Sequence, residues 1–309
     1  MTTAYYNHPS SLAHDMGFGH PECPLRLRAV ARGLADAGLE RKLLTPGISP
    51  IPVDWLKRIH DDGYVDAIVA AIPEQGLRPL DAETVLCPHS LDAALFAVGA
   101  VIGAVDMVMA GAASNAFCAM RPPGHHAERG EAMGFCLFGN VAAGAVHALD
   151  RHGLDRVAIV DFDVHHGNGT EDILRHEPRV LFCSSYQNPL FPYTSDISVP
   201  GQLIKSPLAA GTGSAAFRRA IEHDWLPAVD AFDPQLILVS AGFDADRADP
   251  LADLELDSMD FAWVTERICE LAAIHCDGRI VSVLEGGYDL PALAAGVAAH
   301  VGVLVERGV

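Results

Sequence analysis

The sequence predicts an α/β protein built on a mainly parallel β-sheet with helices over both faces. Three observations predict it. Short, unbroken apolar runs of strand length recur along the chain. Longer segments with helical patterning separate them. Polar and glycine-rich clusters follow the apolar runs directly and are almost absent within them. Alternation of strand and helix is the mark of a parallel sheet, whose crossovers need a helix. In such a sheet, ligands bind outside the carboxyl ends of the strands.

The strand candidates are "NAFCAM" (115–120), "RVAIVDF" (156–162), "RVLFCSS" (179–185), "QLILVSAG" (235–242) and "RIVSVLE" (279–285). Each is a continuous apolar run, as expected of a strand buried on both faces. Helical segments are expected over 24–37, 63–72, 90–111, 139–151, 214–230, 258–276 and 290–306. The stretch 91–113 is the most apolar, but Asp92 and Asp106 interrupt it and alanine and glycine dominate. It reads as a buried helix rather than a membrane span. The C-terminal "LAAGVAAHVGVLVE" reads as a core helix. No repeat, low-complexity segment or linker divides the chain, so residues 1–309 are expected to form a single domain.

Composition narrows the function. Half of the 309 residues are hydrophobic, enough for a sizeable core. With 21 Lys+Arg against 40 Asp+Glu, the formal charge is −19, which argues against nucleic-acid binding. Solubility accounts for this acidity more simply than attraction of a basic substrate does. The seven cysteines are scattered, odd in number and without a CxxC pair, so free thiols in a reducing compartment are expected. No signal peptide opens the chain at "MTTAYYNHPSSL". A cytoplasmic protein without a membrane partner is the expectation, and a homo-oligomer is compatible with it.

Four strand candidates end in clusters that carry chemistry. "NAFCAM" runs into "RPPGHH", "RVAIV" into "DFDVHHGNG", "QLILVSAG" into "FDADRADP" and "RIVSVLE" into "GGYD". Polar βα loops are common, but histidine pairs and aspartates at several strand ends together call for more. If the extended conformation continues past Val160, Asp161, Asp163 and His165 share one side, and Val164 and His166 the other. Asp163 and His165 then form a compact pair of metal ligands, with Asp244 the leading candidate for a third. Two carboxylates and one imidazole neutralise a divalent cation and leave positions open, as catalytic zinc requires. Such ligands also accept ferrous iron or cobalt. Asp161 is better placed as the carboxylate that receives a histidine N–H.

His125 and His126 follow a rigid Pro-Pro-Gly. Adjacent histidines near a metal can divide proton transfer from charge stabilisation. Tyr288 follows two glycines, Gly286 and Gly287, that permit close backbone approach to a ligand. Its phenol could donate to an oxyanion.

Together, "HPECPLRL" (20–27), "RPPGHH" (121–126), "GFC" (134–136), "DFDVHHGNG" (161–169), "SAGFDADRADPL" (240–251) and "EGGY" (285–288) resemble the histone deacetylase family, within the arginase–deacetylase superfamily. The likeness covers nearly the whole chain. Asn168, where some members carry Asp, makes it similar to the class II branch and its bacterial amidohydrolase relatives. The resemblance implies an eight-stranded parallel sheet flanked by helices, the arginase/deacetylase fold. It implies Zn2+ held by Asp163, His165 and Asp244, and hydrolysis of an N-acetylated amine such as acetyl-lysine. It makes His126 the general base and then acid. His125, paired with Asp161, is mainly electrostatic, and Tyr288 is the oxyanion donor. Asn168 is a neutral partner that implies a less basic His126.

The resemblance also implies a narrow acyl-lysine tunnel between Phe135, which follows Gly134, and Phe191 of "NPLFP". Gly287 falls in the same motif as Tyr288, and Arg26 matches an arginine behind the metal near the expelled acetate. Backbone oxygens around Asp161, Asp163 and His165, with Ser184, resemble a structural potassium site. Polyamine-selective relatives can carry a glutamate at position 251. Leu251 weakens that alternative, in which the substrate is an acetylpolyamine or another small amide. A silent acyl-lysine binding module is disfavoured because His126, Tyr288 and all three ligands are retained.

Overall fold

The structure, a computed structural model, describes residues 2–308. In chain order it comprises β1 (Thr3–Tyr6), α1 (Ser10–Ala13), α2 (Leu25–Asp36), β2 (Leu43–Leu44), α3 (Asp62–Ala71), β3 (Arg78–Pro79), β4 (Val85–Leu86), α4 (Ser90–Met109), β5 (Asn115–Cys118), α5 (Asn140–Arg151), β6 (Val157–Asp161), α6 (Asn168–Leu174), β7 (Val180–Gln187), β8 (Leu203–Leu208), α7 (Ser214–Ala220), α8 (Leu226–Phe232), β9 (Leu236–Ala241), α9 (Ser258–His275), β10 (Ile280–Leu284) and α10 (Leu290–Arg307). Eight strands form one sheet in the order β2-β1-β5-β10-β9-β6-β7-β8. Every pairing in it is parallel. The short β3–β4 hairpin stands apart.

Strand alternation divides the core in two. On β6, Val157 and Ile159 face the layer that holds Val101 and Val105 of α4 and Val141 and Ala145 of α5. Ala158 and Val160 face the other layer, with Val30 of α2, Val264 of α9 and Val297 of α10. A fully buried Val or Leu contributes about 1.5–3 kcal/mol of transfer free energy, so these two layers hold the sheet between them. Helices α2 and α10 pack tightly because Gly33 has no side chain: a Cβ there would meet the Ala294 carbonyl oxygen at 2.3 Å. Two helices, α4 and α10, are long and apolar enough to cross a membrane, and both contribute to these layers.

All five sequence-read strands and all seven helical segments are present. Residues 214–232 are helical throughout but contain a π-turn at Ile221–Trp225. Pro227, in the first turn of α8, has no N–H and crowds the carbonyl four residues back, which favours a local widening. The sheet also contains β1, β2 and β8, which the sequence did not announce. β2 has two residues, and β8 ("LIKSPL") mixes Lys205, Ser206 and Pro207 into an edge strand.

Candidate active site

In the sheet, β5, β10, β9 and β6 are consecutive neighbours. The four polar clusters that follow these strands therefore meet along one edge. One expectation about local geometry fails: β6 stops at Asp161, and residues 162–167 are not extended. Strict alternation is thus not what sorts the side chains. The loop turns back through its own carboxylates, with the Asp163 N–H donating to Asp161 Oδ1 at 3.1 Å and the His165 N–H to Asp163 Oδ1 at 2.8 Å.

That turn brings Asp163 and His165 to Asp244. One ligand atom from each of the three lies within 4.8 Å of the others. Nδ1 of His165 is 3.1 Å from Asp163 Oδ1 and 3.2 Å from Asp244 Oδ2. Backbone N–H groups hold the carboxylates in place: Gly286 donates to Asp163 Oδ2 at 2.8 Å and Val164 to Asp244 Oδ1 at 2.9 Å. Asp244 Oδ2 is buried and, among the described residues, makes no hydrogen bond of good geometry. Gly286 is needed here, because a Cβ would meet that oxygen at 2.0 Å. Burial and the charge on Asp163 push the Asp244 carboxyl up. Two buried carboxylates around an orphaned oxygen are costly without a cation. The two-oxygen, one-nitrogen donor set fits a divalent cation with open positions.

Beside this triad, the His125 and His126 rings lie 4.0 Å apart. Nδ1 of His125 is 3.0 Å from Asp161 Oδ2, and Nδ1 of His126 is 2.7 Å from Asn168 Oδ1. Burial opposes charge on His125, but the Asp163 and Asp161 carboxylates outweigh it and hold the imidazolium well above its ordinary pKa. His126 falls well below its ordinary value, chiefly through burial, then through its neighbours His125 and His165. The contact with Asn168 acts upward, against these larger effects.

Two residues that sequence reading left without a role complete the arrangement. Glu128 accepts from the Asn168 amide nitrogen at 2.7 Å, so the amide oxygen must face His126. Glu285 accepts from the Gly124 and His125 N–H groups at 2.8 and 3.2 Å, fixing the histidine loop against β10. Burial pushes Glu285 up to about 7. Both lie inside quoted motifs or directly after them, so their positions were visible but their partners were not.

A histone deacetylase domain model matches residues 20–304. The chain belongs to the histone deacetylase family. Relatives of the chain are named as an amidohydrolase and as deacetylases. A histone deacetylase-like amidohydrolase of Pseudomonas aeruginosa is 39% identical over 277 residues, covering 87% of this chain and 73% of that one. A mouse polyamine deacetylase, HDAC10, is 36% identical over 99% of this chain but only 48% of its own length. Among solved structures, the HDA15 HD domain superposes with a TM-score of 0.91 at 32% identity, covering 99% of this chain and 90% of that one.

This histone deacetylase family member has a cleft of about 380 Å³ above the triad. Phe135, Phe191, Gly134, Leu251, His126, His165 and Tyr288 line it, as do His20, Pro21, Ala82, Glu83, Leu190 and Tyr193. The phenylalanines expected to form a tunnel are therefore present on its walls. Gly134 lies at φ 52°, and a Cβ on it would strike the His126 ring at 2.5 Å. The second group of lining residues was not anticipated. The β3–β4 turn is bolted to the wall there, with the Glu83 carbonyl 2.9 Å from His20 Nε2 and the Phe135 N–H donating to Thr84 Oγ1.

Arg26 and Gly287 do not line the cleft but lie behind it. Arg26 is fully buried, donates to the Gly287 carbonyl at 2.7 Å, pairs with Glu22 and sits 4.9 Å from the Tyr288 ring centroid. Ser184 pairs in register with Asp161, and its hydroxyl is 2.9 Å from His166 Nδ1.

Proposed function

We propose that this chain, acting as a single deacetylase domain, uses one Zn2+ ion to hydrolyse the acyl amide of N-acetyl-lysine-like amines. Asp163, His165 and Asp244 would hold the ion. When bound, it supplies Lewis acidity to the amide carbonyl and makes nearby water more acidic. The observation that carries the reading is the clustering of those three ligand atoms beside a buried, neutral His126 whose Nδ1 is already committed to Asn168.

With its Nδ1–H donated to Asn168, His126 has Nε2 free to accept a proton. It takes that proton from the attacking water and delivers it to the amine nitrogen as the C–N bond breaks. The products are acetate and the free amine. His125, held charged by Asp163 and Asp161, supplies a fixed positive field. Tyr288 donates its hydroxyl to the carbonyl oxygen as negative charge develops there. Phe135 and Phe191 exclude water from the acyl chain's methylenes. Arg26, beneath Tyr288, faces the side on which acetate departs. Backbone oxygens of Asp161, Asp163 and His165, with Ser184, are proposed to hold a structural K+.

Acetylpolyamines form the second reading. It is favoured by Glu83, an exposed carboxylate on the cleft wall, and by the relative named a polyamine deacetylase. Leu251 supplies no charge for a second ammonium, which favours acyl-lysine. The retained His126 and Tyr288 speak against a silent binding module. All seven cysteines are unpaired and six are buried, which supports a cytoplasmic setting. Parallel turnover assays on acetyl-lysine peptides, acetylputrescine and acetylspermidine test this reading. Chelation should abolish activity and zinc should restore it. Faster hydrolysis of both polyamines than of any peptide would transfer the assignment to the second reading.

A further inference from the structure

At the opposite end of the helices from the cleft, a second cluster converges. Nε2 of His147 and Nε2 of His152 both lie 2.7 Å from one oxygen, Oδ1 of Asp106. One ligand atom from each of the three falls within 4.8 Å of the others. We propose that Asp106, His147 and His152 form a second metal site. It takes a borderline divalent cation such as Zn2+, Ni2+ or Cu2+, and it clamps the C-terminal ends of α4 and α5.

Several features point to a cation here rather than to hydrogen bonding alone. Asp106 lies in the last turn of α4, where the helix dipole disfavours a carboxylate and favours positive charge. His152 is the C-cap of α5, so the negative ends of two helices meet at the cluster. Among the described residues, no lysine or arginine comes within 4.0 Å of Asp106; its ion-pair partners are the two histidines. Two imidazoles and one carboxylate match borderline metals, whereas Mg2+ and Ca2+ prefer all-oxygen shells.

The local backbone is shaped to produce this convergence. Residues five apart do not share a helix face. His152 sits at the C-cap of α5, and its side chain and that of His147 both reach Asp106 on the neighbouring α4, while Gly153 at φ 65° ends the helix. His147 is largely buried and fixed, while Asp106 is half-exposed and leaves an entry path. Tetrahedral zinc ligands stand about 3.3 Å apart, so entry of an ion needs a spread of roughly half an ångström from the hydrogen-bonded spacing.

His275 provides an internal contrast. It also sits between carboxylates, Asp233 and Asp230, but engages them through Nδ1 and Nε2 respectively. These nitrogens point to different sides of the ring, so nothing converges. Among the described residues, only at Asp106 do two equivalent histidine nitrogens aim at one oxygen.

The site is separate from the proposed catalytic triad, and metal counting distinguishes them. Full-length protein is dialysed against Zn2+ and its metal content measured. Wild type should hold two equivalents, His152→Gln one, Asp244→Ala one and the double variant none. His152→Gln, at a helix cap, should leave the fold and turnover intact. Cu2+ titrated into metal-free Asp244→Ala protein should show two-nitrogen hyperfine coupling, lost when His152→Gln is added. Wild type with one equivalent, absent in Asp244→Ala and unaffected by His152→Gln, would overturn the second site and leave the catalytic reading standing. Two equivalents retained in His152→Gln would overturn it as well.

Discussion

Oδ1 of Asn168 lies 2.7 Å from Nδ1 of His126, and the amide nitrogen of the same side chain lies 2.7 Å from a Glu128 oxygen. The carboxylate can only accept, so it fixes which end of the amide His126 meets, and with it the imidazole tautomer. Glu128→Ala frees the amide to turn. A decrease in kcat of about tenfold is expected, equivalent to one net hydrogen bond of ~1.4 kcal/mol, with KM held. Glu128→Gln, which keeps an acceptor oxygen, should recover most of the rate. An unaltered kcat in Glu128→Ala would remove Glu128 from the mechanism.

Tyr288 is held above Arg26, and burial raises its hydroxyl well above the ordinary phenol range, so it remains a donor at working pH. Tyr288→Phe should lower kcat by roughly 10²–10³-fold, the usual weight of one oxyanion donor. Thermal stability should change little, since the hydroxyl makes no hydrogen bond among the described residues. A variant with wild-type kcat contradicts the role.

Substrate choice is expected to respond at the cleft wall. Leu251 and Glu83 both line it, and only Glu83 is charged. Leu251→Glu should raise kcat/KM for acetylspermidine relative to an acetyl-lysine peptide by about fivefold, the effect of one partly exposed ion pair of ~1 kcal/mol. Glu83→Gln should move the ratio the other way. Unchanged ratios in both variants would place the specificity elsewhere.

Two buried neutral histidines, His60 and His300, should each favour the fold less at mildly acidic than at neutral pH. Burial lowers His60 to about 4 and His300 to about 3. The unfolded chain takes up these protons from about pH 6.5 downward and the folded chain does not, so stability present above that pH is lost as pH falls toward the folded values. By pH 5 the loss is about 2 kcal/mol per residue. Urea unfolding of wild type and His300→Gln at pH 7 and pH 5 checks it: the variant should lose about 2 kcal/mol less than wild type on acidification, and equal losses would contradict it.

The strand-end clusters were legible because a parallel sheet puts its special residues directly after apolar runs. "RVAIV" and "QLILVSAG" could be read alone, and Asp163, His165 and Asp244 followed from them. The edge strands were illegible for the complementary reason: β2 is too short to show a pattern, and β8 carries Lys205. Glu128 and Glu285 act through partners 40 and 161 residues distant, Asn168 and Gly124, which spacing does not reveal. His152 was hidden because it meets His147 at Asp106 of the neighbouring α4 and not through a shared helical face.

The central claim is that Asp163, His165 and Asp244 share one catalytic ion. Elemental analysis paired with turnover of Asp244→Ala tests it most directly, in a His152→Gln background so that the α4–α5 cluster does not contribute. The parent should hold one zinc per chain and hydrolyse an acetyl-lysine peptide, and Asp244→Ala should lose both while remaining folded. Full zinc content and full turnover in Asp244→Ala would contradict the claim.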